Sequence, residues 1–153
     1  MSIEARFEQL GIVLPPAAAP VASYLPVVVE GRFVYVSGQL PFTDGELIKG
    51  QLGNDLSLEQ GIAAARACGL MILAQLQQAN VPLDAVSRVV KLGAFVSSTS
   101  DFVDQPKVAN GASDLMFDVF GEIGRHARAA VSVPALPLGA AVEVDAVIAI
   151  EPS

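Results

Sequence analysis

Arg128, Glu143 and His126 are the residues of this chain whose types and spacing best suit chemistry on a small anionic molecule. Arg128 lies in His126-Ala127-Arg128-Ala129-Ala130-Val131-Ser132-Val133, and Glu143 in Val142-Glu143-Val144-Asp145-Ala146-Val147-Ile148, with Leu136-Pro137 between. Both runs alternate with the period of two that marks a strand. Ala127, Ala129, Val131 and Val133 share one face of the first run, and Arg128, Ala130 and Ser132 the other. In the second run Val142, Val144, Ala146 and Ile148 make an apolar face opposite Glu143 and Asp145. Pairing as a hairpin is the expected arrangement, and it puts Arg128 and Glu143 on one non-core face. A guanidinium fork binds a planar carboxylate through two parallel, charge-assisted hydrogen bonds. Glu143 reads equally as a catalytic carboxylate or as the ion-pair partner that orients Arg128; beside an arginine its pKa is expected to fall. His126 is the single histidine and stands two residues before Arg128, on the same alternation face. It reads evenly as a pocket residue or as a packing residue at a strand start. Cys68 lies among Leu70, Met71 and Ile72 with no basic neighbour, which fits an inert buried thiol.

The elements that position these residues begin with one domain's worth of chain. The 153 residues can bury a core, and 52% of them are hydrophobic. Gly, Pro and charges interrupt the apolar runs before any reaches membrane-spanning length. The start, Met1-Ser2-Ile3-Glu4-Ala5-Arg6, lacks the basic opening and apolar centre of a secretion signal, so a cytoplasmic location is expected. Net charge is −7, with 9 Lys and Arg residues spread along the chain and no Trp. That balance opposes nucleic-acid binding, which needs concentrated positive charge. One Cys and one His all but exclude a zinc site within one chain.

Residues 1–13 read as a short amphipathic helix stopped at Gly11, and 14–20, Leu-Pro-Pro-Ala-Ala-Ala-Pro, as a linker. Residues 1–20 are thus an N-terminal extension and 21–153 one α/β domain. Tyr24 to Val29 and Phe33 to Ser37 predict a hairpin. Ser57 with Gln60 matches a capping box for a helix to about Gln78. Gly61 and Gly69 within that helix predict close approach to a sheet. Val86 to Ser97 predicts a strand, with Val90, Leu92, Ala94 and Val96 on one face and Val89, Lys91, Gly93 and Phe95 on the other. Asp104 caps a second helix with Pro106 in its first turn. Helices alternating with strands give a two-layer sandwich: a mixed sheet with two main helices on one face. The other sheet face is also apolar and needs a cover, for which another subunit is the simplest choice.

At this point the chain resembles the Rid family, also called the YjgF or endoribonuclease L-PSP family, whose type member is a reactive intermediate (enamine/imine) deaminase. The resemblance covers most of residues 21–151. It rests on Val34-Tyr35-Val36-Ser37-Gly38-Gln39-Leu40-Pro41, on Val89-Val90-Lys91-Leu92 through Phe95-Val96, and on Ala127-Arg128-Ala129-Ala130-Val131 with Leu136-Pro137 and Val142-Glu143-Val144. It implies a chorismate-mutase-like fold, a homotrimer, ligand sites in the clefts between subunits, and no cofactor. It implies Arg128 as the carboxylate binder, Glu143 as the residue that positions or activates water, and Tyr24, Ser37 and Asn110 as pocket residues. The implied reaction is hydrolysis of 2-iminopropanoate or a similar imino acid to the keto acid and ammonia. The chain departs from the deaminase pattern: Ala130 stands where the family has a cysteine, and Gly124-Arg125-His126 precedes the arginine strand. These departures mark a divergent subgroup.

Several functions are open at this level. One is an imine or enamine deaminase. Another is a non-catalytic trimer that holds small carboxylates such as keto acids or amino acids. An endoribonuclease or translation inhibitor is opposed by the acidic charge. A chorismate mutase would need more cleft arginines for its dicarboxylate. No metal, nucleic acid or membrane is expected as a partner.

Overall fold

The computed structural model describes residues 1–20 and 22–152. Helix α1 (Ile3–Leu10) begins where the Ser2 hydroxyl accepts the Ala5 amide and stops at Gly11 in the left-handed conformation, φ 67°. Strands β1 (Val27–Glu30) and β2 (Phe33–Gln39) form the expected hairpin. Two short strands, β3 (Phe42–Thr43) and β4 (Glu46–Leu47), pair in a small hairpin of their own. Helix α2 (Leu58–Gln78) starts at the predicted capping box. The Ser57 hydroxyl accepts the Gln60 amide at 3.2 Å, and the Gln60 side chain accepts the Ser57 amide at 2.8 Å. Strand β5 (Val86–Ser97) precedes helix α3 (Gln105–Phe120), then β6 (Ala127–Val133) and β7 (Val142–Ile150). Asp104 stands at the start of α3 without capping it; its carboxylate pairs with Lys107 at 3.7 Å.

The sheet order is β1-β2-β7-β5-β6. This overturns the C-terminal hairpin. β6 runs parallel to β5, as α3 between them requires of a crossover, and β7 lies on the other side of β5, antiparallel to it. The residues between β6 and β7 are no hairpin turn. They carry the chain past the end of β5, where the Ser97 amide donates to the Ala141 carbonyl at 2.9 Å.

Both long helices cover one sheet face. Val34 and Val36 of β2, Val89, Leu92, Ala94 and Val96 of β5, and Val142, Val144, Ala146 and Ile148 of β7 are buried beneath them. Val89 and not Val90 belongs to this layer, because the β5–β7 register shifts between Val89 and Lys91 and a bulge flips the alternation. The helix glycines also serve a different contact from the one expected. Gly69 lies against Leu115 and Ala112 of α3, and a Cβ at Gly111 would collide with the Ile62 carbonyl of α2. The glycines let the two helices close on each other, not on the sheet. The far sheet face stays open, with Val28, Phe33, Tyr35 and Val131 exposed on it.

Candidate functional site

Arg128 pairs in register with Leu92, so its side chain leaves the free-edge strand β6 on the helix-covered side of the sheet. There α3 holds it. Nη1 donates to Asn110 Oδ1 at 2.8 Å and to Ser113 Oγ at 3.0 Å, and Nη2 donates to the Pro106 carbonyl at 3.2 Å. Asn110 and Ser113 stand one helical turn apart and therefore share a face. Every one of these acceptors is neutral. Among the described residues Arg128 has no ion-pair partner, and no acceptor meets its Nε. A half-buried guanidinium keeps its charge and one donating edge for something else.

His126 lies beside it. Nδ1 is 2.6 Å from the Gly124 carbonyl, and Nε2 is 2.8 Å from Ser113 Oγ. A carbonyl only accepts, so Nδ1 carries a proton and donates to it. Gly124 is required at this bend, because a Cβ there would strike the Met116 carbonyl of α3. Arg88 of β5 braces the same turn, its Nη1 donating to the Glu122 and Arg125 carbonyls at 2.9 and 3.0 Å. Arg125 stacks on the Phe117 ring, 4.1 Å from its centroid, and pairs with Glu122 at 3.3 Å. Asn110, Ser113, Asp114, His126 and Arg128 line an open concavity of about 620 Å³. Arg128 brings a positive charge to its rim, aimed by Ser113 and Asn110.

Glu143 is elsewhere. It pairs with Phe95 on the open sheet face, so Arg128 and Glu143 point to opposite sides of one sheet with β5 between their strands. The expected shared face and ion pair do not form. The expected fall in its pKa is reversed: burial, then the charge of Asp145, raises the Glu143 carboxyl above its ordinary value. Glu143 lies against Gly38, where a Cβ would overlap the carboxylate. Next to Gly38, the Ser37 hydroxyl donates to the Leu25 carbonyl at 2.7 Å. Tyr24, 44% exposed, lines a cavity of about 210 Å³ with Gly38, Gln39 and Gln75. Gln75 Nε2 donates to Gln39 Oε1 at 3.1 Å and to the Ala18 carbonyl at 2.7 Å, which ties the segment around Ala18 to α2.

The sequence-derived residues therefore fall into two groups. Arg128, Asn110 and His126 meet at α3 and β6; Tyr24, Ser37 and Glu143 surround Gly38 on β2 and β7. Ser113 joins the first group and was not anticipated. Its only sequence signal is its place three residues after Asn110 on a helix. Cys68 is buried and its thiol pKa is raised by burial, in keeping with an inert group.

A family model described as "YjgF/chorismate_mutase-like, putative endoribonuclease" matches residues 4–149. Protein TCP17 of Trypanosoma cruzi is 54% identical over 148 residues, covering 95% of this chain and 92% of that protein. The crystal structure of a protein of unknown function from Agrobacterium tumefaciens is 45% identical, with TM-score 0.90 over 97% of this chain and 92% of that one. That of a "putative endoribonuclease" from Shewanella oneidensis MR-1 is 34% identical, with TM-score 0.94 over 98% of this chain and 100% of that one. With a mixed sheet under two helices and an arginine held at its edge strand, the chain belongs to the Rid/YjgF family.

Proposed function

We propose that this protein is a hydrolytic deaminase of small 2-imino or 2-enamino acids, acting in clefts between subunits of a homotrimer. The observation that carries the reading is Arg128: a half-buried guanidinium aimed by Asn110, Ser113 and the Pro106 carbonyl and, among the described residues, left without a carboxylate partner. Such a group is built to receive one from a ligand. Glu143 supplies the proton chemistry. A carboxyl with a raised pKa exchanges protons closer to neutrality than an ordinary glutamate. It takes a proton from the attacking water as the water's oxygen bonds to the imine carbon. It passes that proton to the imine nitrogen, giving the carbinolamine. The hydroxyl proton then moves through the same carboxylate to nitrogen as the C–N bond breaks, so ammonia leaves and the carbonyl of the keto acid forms. Because Arg128 and Glu143 face opposite sides of one sheet, a shared site needs Glu143 from a neighbouring copy, and the exposed apolar residues of the open sheet face support such a neighbour. Tyr24 and Ser37, around Gly38, enter the cleft with Glu143.

The test is to generate 2-iminopropanoate with an amino-acid oxidase and follow its capture by semicarbazide. A deaminase lowers the captured fraction; unchanged capture rejects the activity. The second reading, a carboxylate-binding trimer without catalysis, is favoured by one observation: residue 130, two after Arg128, is an alanine, where the family resemblance implies a cysteine. It predicts unchanged capture together with retained keto-acid binding. A net charge of −7 opposes a ribonuclease.

A further inference from the structure

We propose that Ser113 is a ligand-contacting residue of this site and that His126 decides whether its hydroxyl faces the ligand. The proposal rests on the reading of Arg128 as a carboxylate clamp. It follows from counting protons. Arg128 Nη1 can only donate, so one lone pair of Ser113 Oγ is taken by it at 3.0 Å. The Gly124 carbonyl can only accept, so Nδ1–H of His126 points at it over 2.6 Å. While Nε2 is unprotonated, the single proton of Ser113 goes to it across 2.8 Å. Ser113 then has no donor for a ligand.

A second proton on the imidazole reverses this link. Nε2–H donates to Ser113 Oγ, which now accepts from both Arg128 and His126. Its own O–H must turn away from both, into the concavity that Asn110, Ser113 and Arg128 border. An anion held by Arg128 gains one donor and one nearby positive charge, whereas a neutral amide of the same shape gains only the donor. Ser113 and His126 thus select carboxylates over their uncharged analogues, and do so more strongly as pH falls. The charged groups around His126 are Arg125 on its own segment, Arg128 on β6, Asp114 on α3, Glu122 in the preceding turn, and Arg88 of β5 behind that turn. A bound anion adds negative charge among them, so ligand binding and proton uptake reinforce each other.

The experiment is calorimetric titration of the full chain with pyruvate from about pH 8 to about pH 6, where histidine side chains ordinarily titrate. Two buffers of different ionisation enthalpy give the protons taken up per ligand. Affinity is expected to rise about tenfold across this range, with uptake reaching about half a proton per ligand at its maximum. His126→Asn and Ser113→Ala flatten the profile, and Ser113→Thr, which keeps the hydroxyl, restores it. A profile the same in wild type and His126→Asn overturns the coupling while leaving the clamp. Failure of wild type to bind pyruvate at every pH removes the clamp itself.

Discussion

Arg128 is oriented by Asn110, Ser113 and the Pro106 carbonyl, all neutral, so the groups that hold it do not cancel its charge. Arg128→Ala is expected to weaken keto-acid binding by about 100-fold in titration calorimetry, the scale of a charge-assisted pair lost. The circular dichroism spectrum should not change. Arg128→Lys should recover little, since an ammonium offers no planar fork. Glu143→Gln is expected to lower the rate of imine hydrolysis by about 100-fold or more with keto-acid affinity intact, as removal of a proton-transfer group does. The same residue makes a stability prediction. Its raised pKa means that the folded chain holds a proton that the unfolded chain releases. The resulting stabilisation is full below the ordinary carboxylate value and is lost as pH rises through the folded value. Asp145, also raised by burial, behaves alike. Glu143→Gln with Asp145→Asn should therefore raise Tm at pH 7 and leave it nearly unchanged at about pH 4, near the ordinary carboxylate value. A rise of equal size at both values would show that the effect is packing.

The elements were legible to different degrees, and the reasons differ. Ser57 with Gln60 announced α2 because a capping box satisfies backbone donors within a few residues. Ser57→Ala is expected to cost about 1 kcal/mol of unfolding free energy. Strand β5 was legible in extent, but its faces were not throughout. The bulge at Val89 and Lys91 comes from matching two neighbouring strands, which one strand's alternation does not contain. Helix α3 is marked by Pro106 in its first turn, whereas Asn110-Gly111 inside it is poor in helix propensity. The structure gives the reason: Gly111 meets the Ile62 carbonyl, and Asn110 meets Arg128. Gly111→Ala should destabilise by about 2–3 kcal/mol in denaturant titration, since the clash is with backbone and neither helix can yield locally.

At the scale of the whole molecule, one sheet face is covered by helices and the other is open. Val28, Phe33, Tyr35 and Val131 stand on the open face. The proposed trimer covers it, and Tyr35→Asp tests this without disturbing the core, since Tyr35 is 48% exposed. Sedimentation velocity should show wild type well above the 15.9 kDa of one chain and the variant near it. The monomeric variant should still bind keto acids at Arg128, held within its own chain, and should lose imine hydrolysis, which draws Glu143 from a neighbour. Hydrolysis by a proven monomer would reject the composite site.

By itself the sequence determined what is local or compositional. Helix starts, strand periods, the α/β class and the chemical character of Arg128 follow from residues within a turn or two of one another. Only the tertiary structure decided which strands are neighbours. Two adjacent strand segments read naturally as a hairpin, yet α3 between β5 and β6 makes those two parallel and sends β7 to the far side of β5. That single choice moved Glu143 away from Arg128 and raised its pKa where a fall was expected. It also put Ser113 and His126 beside the guanidinium instead. Strand order depends on contacts between residues far apart in the chain, and no spacing along one strand encodes them.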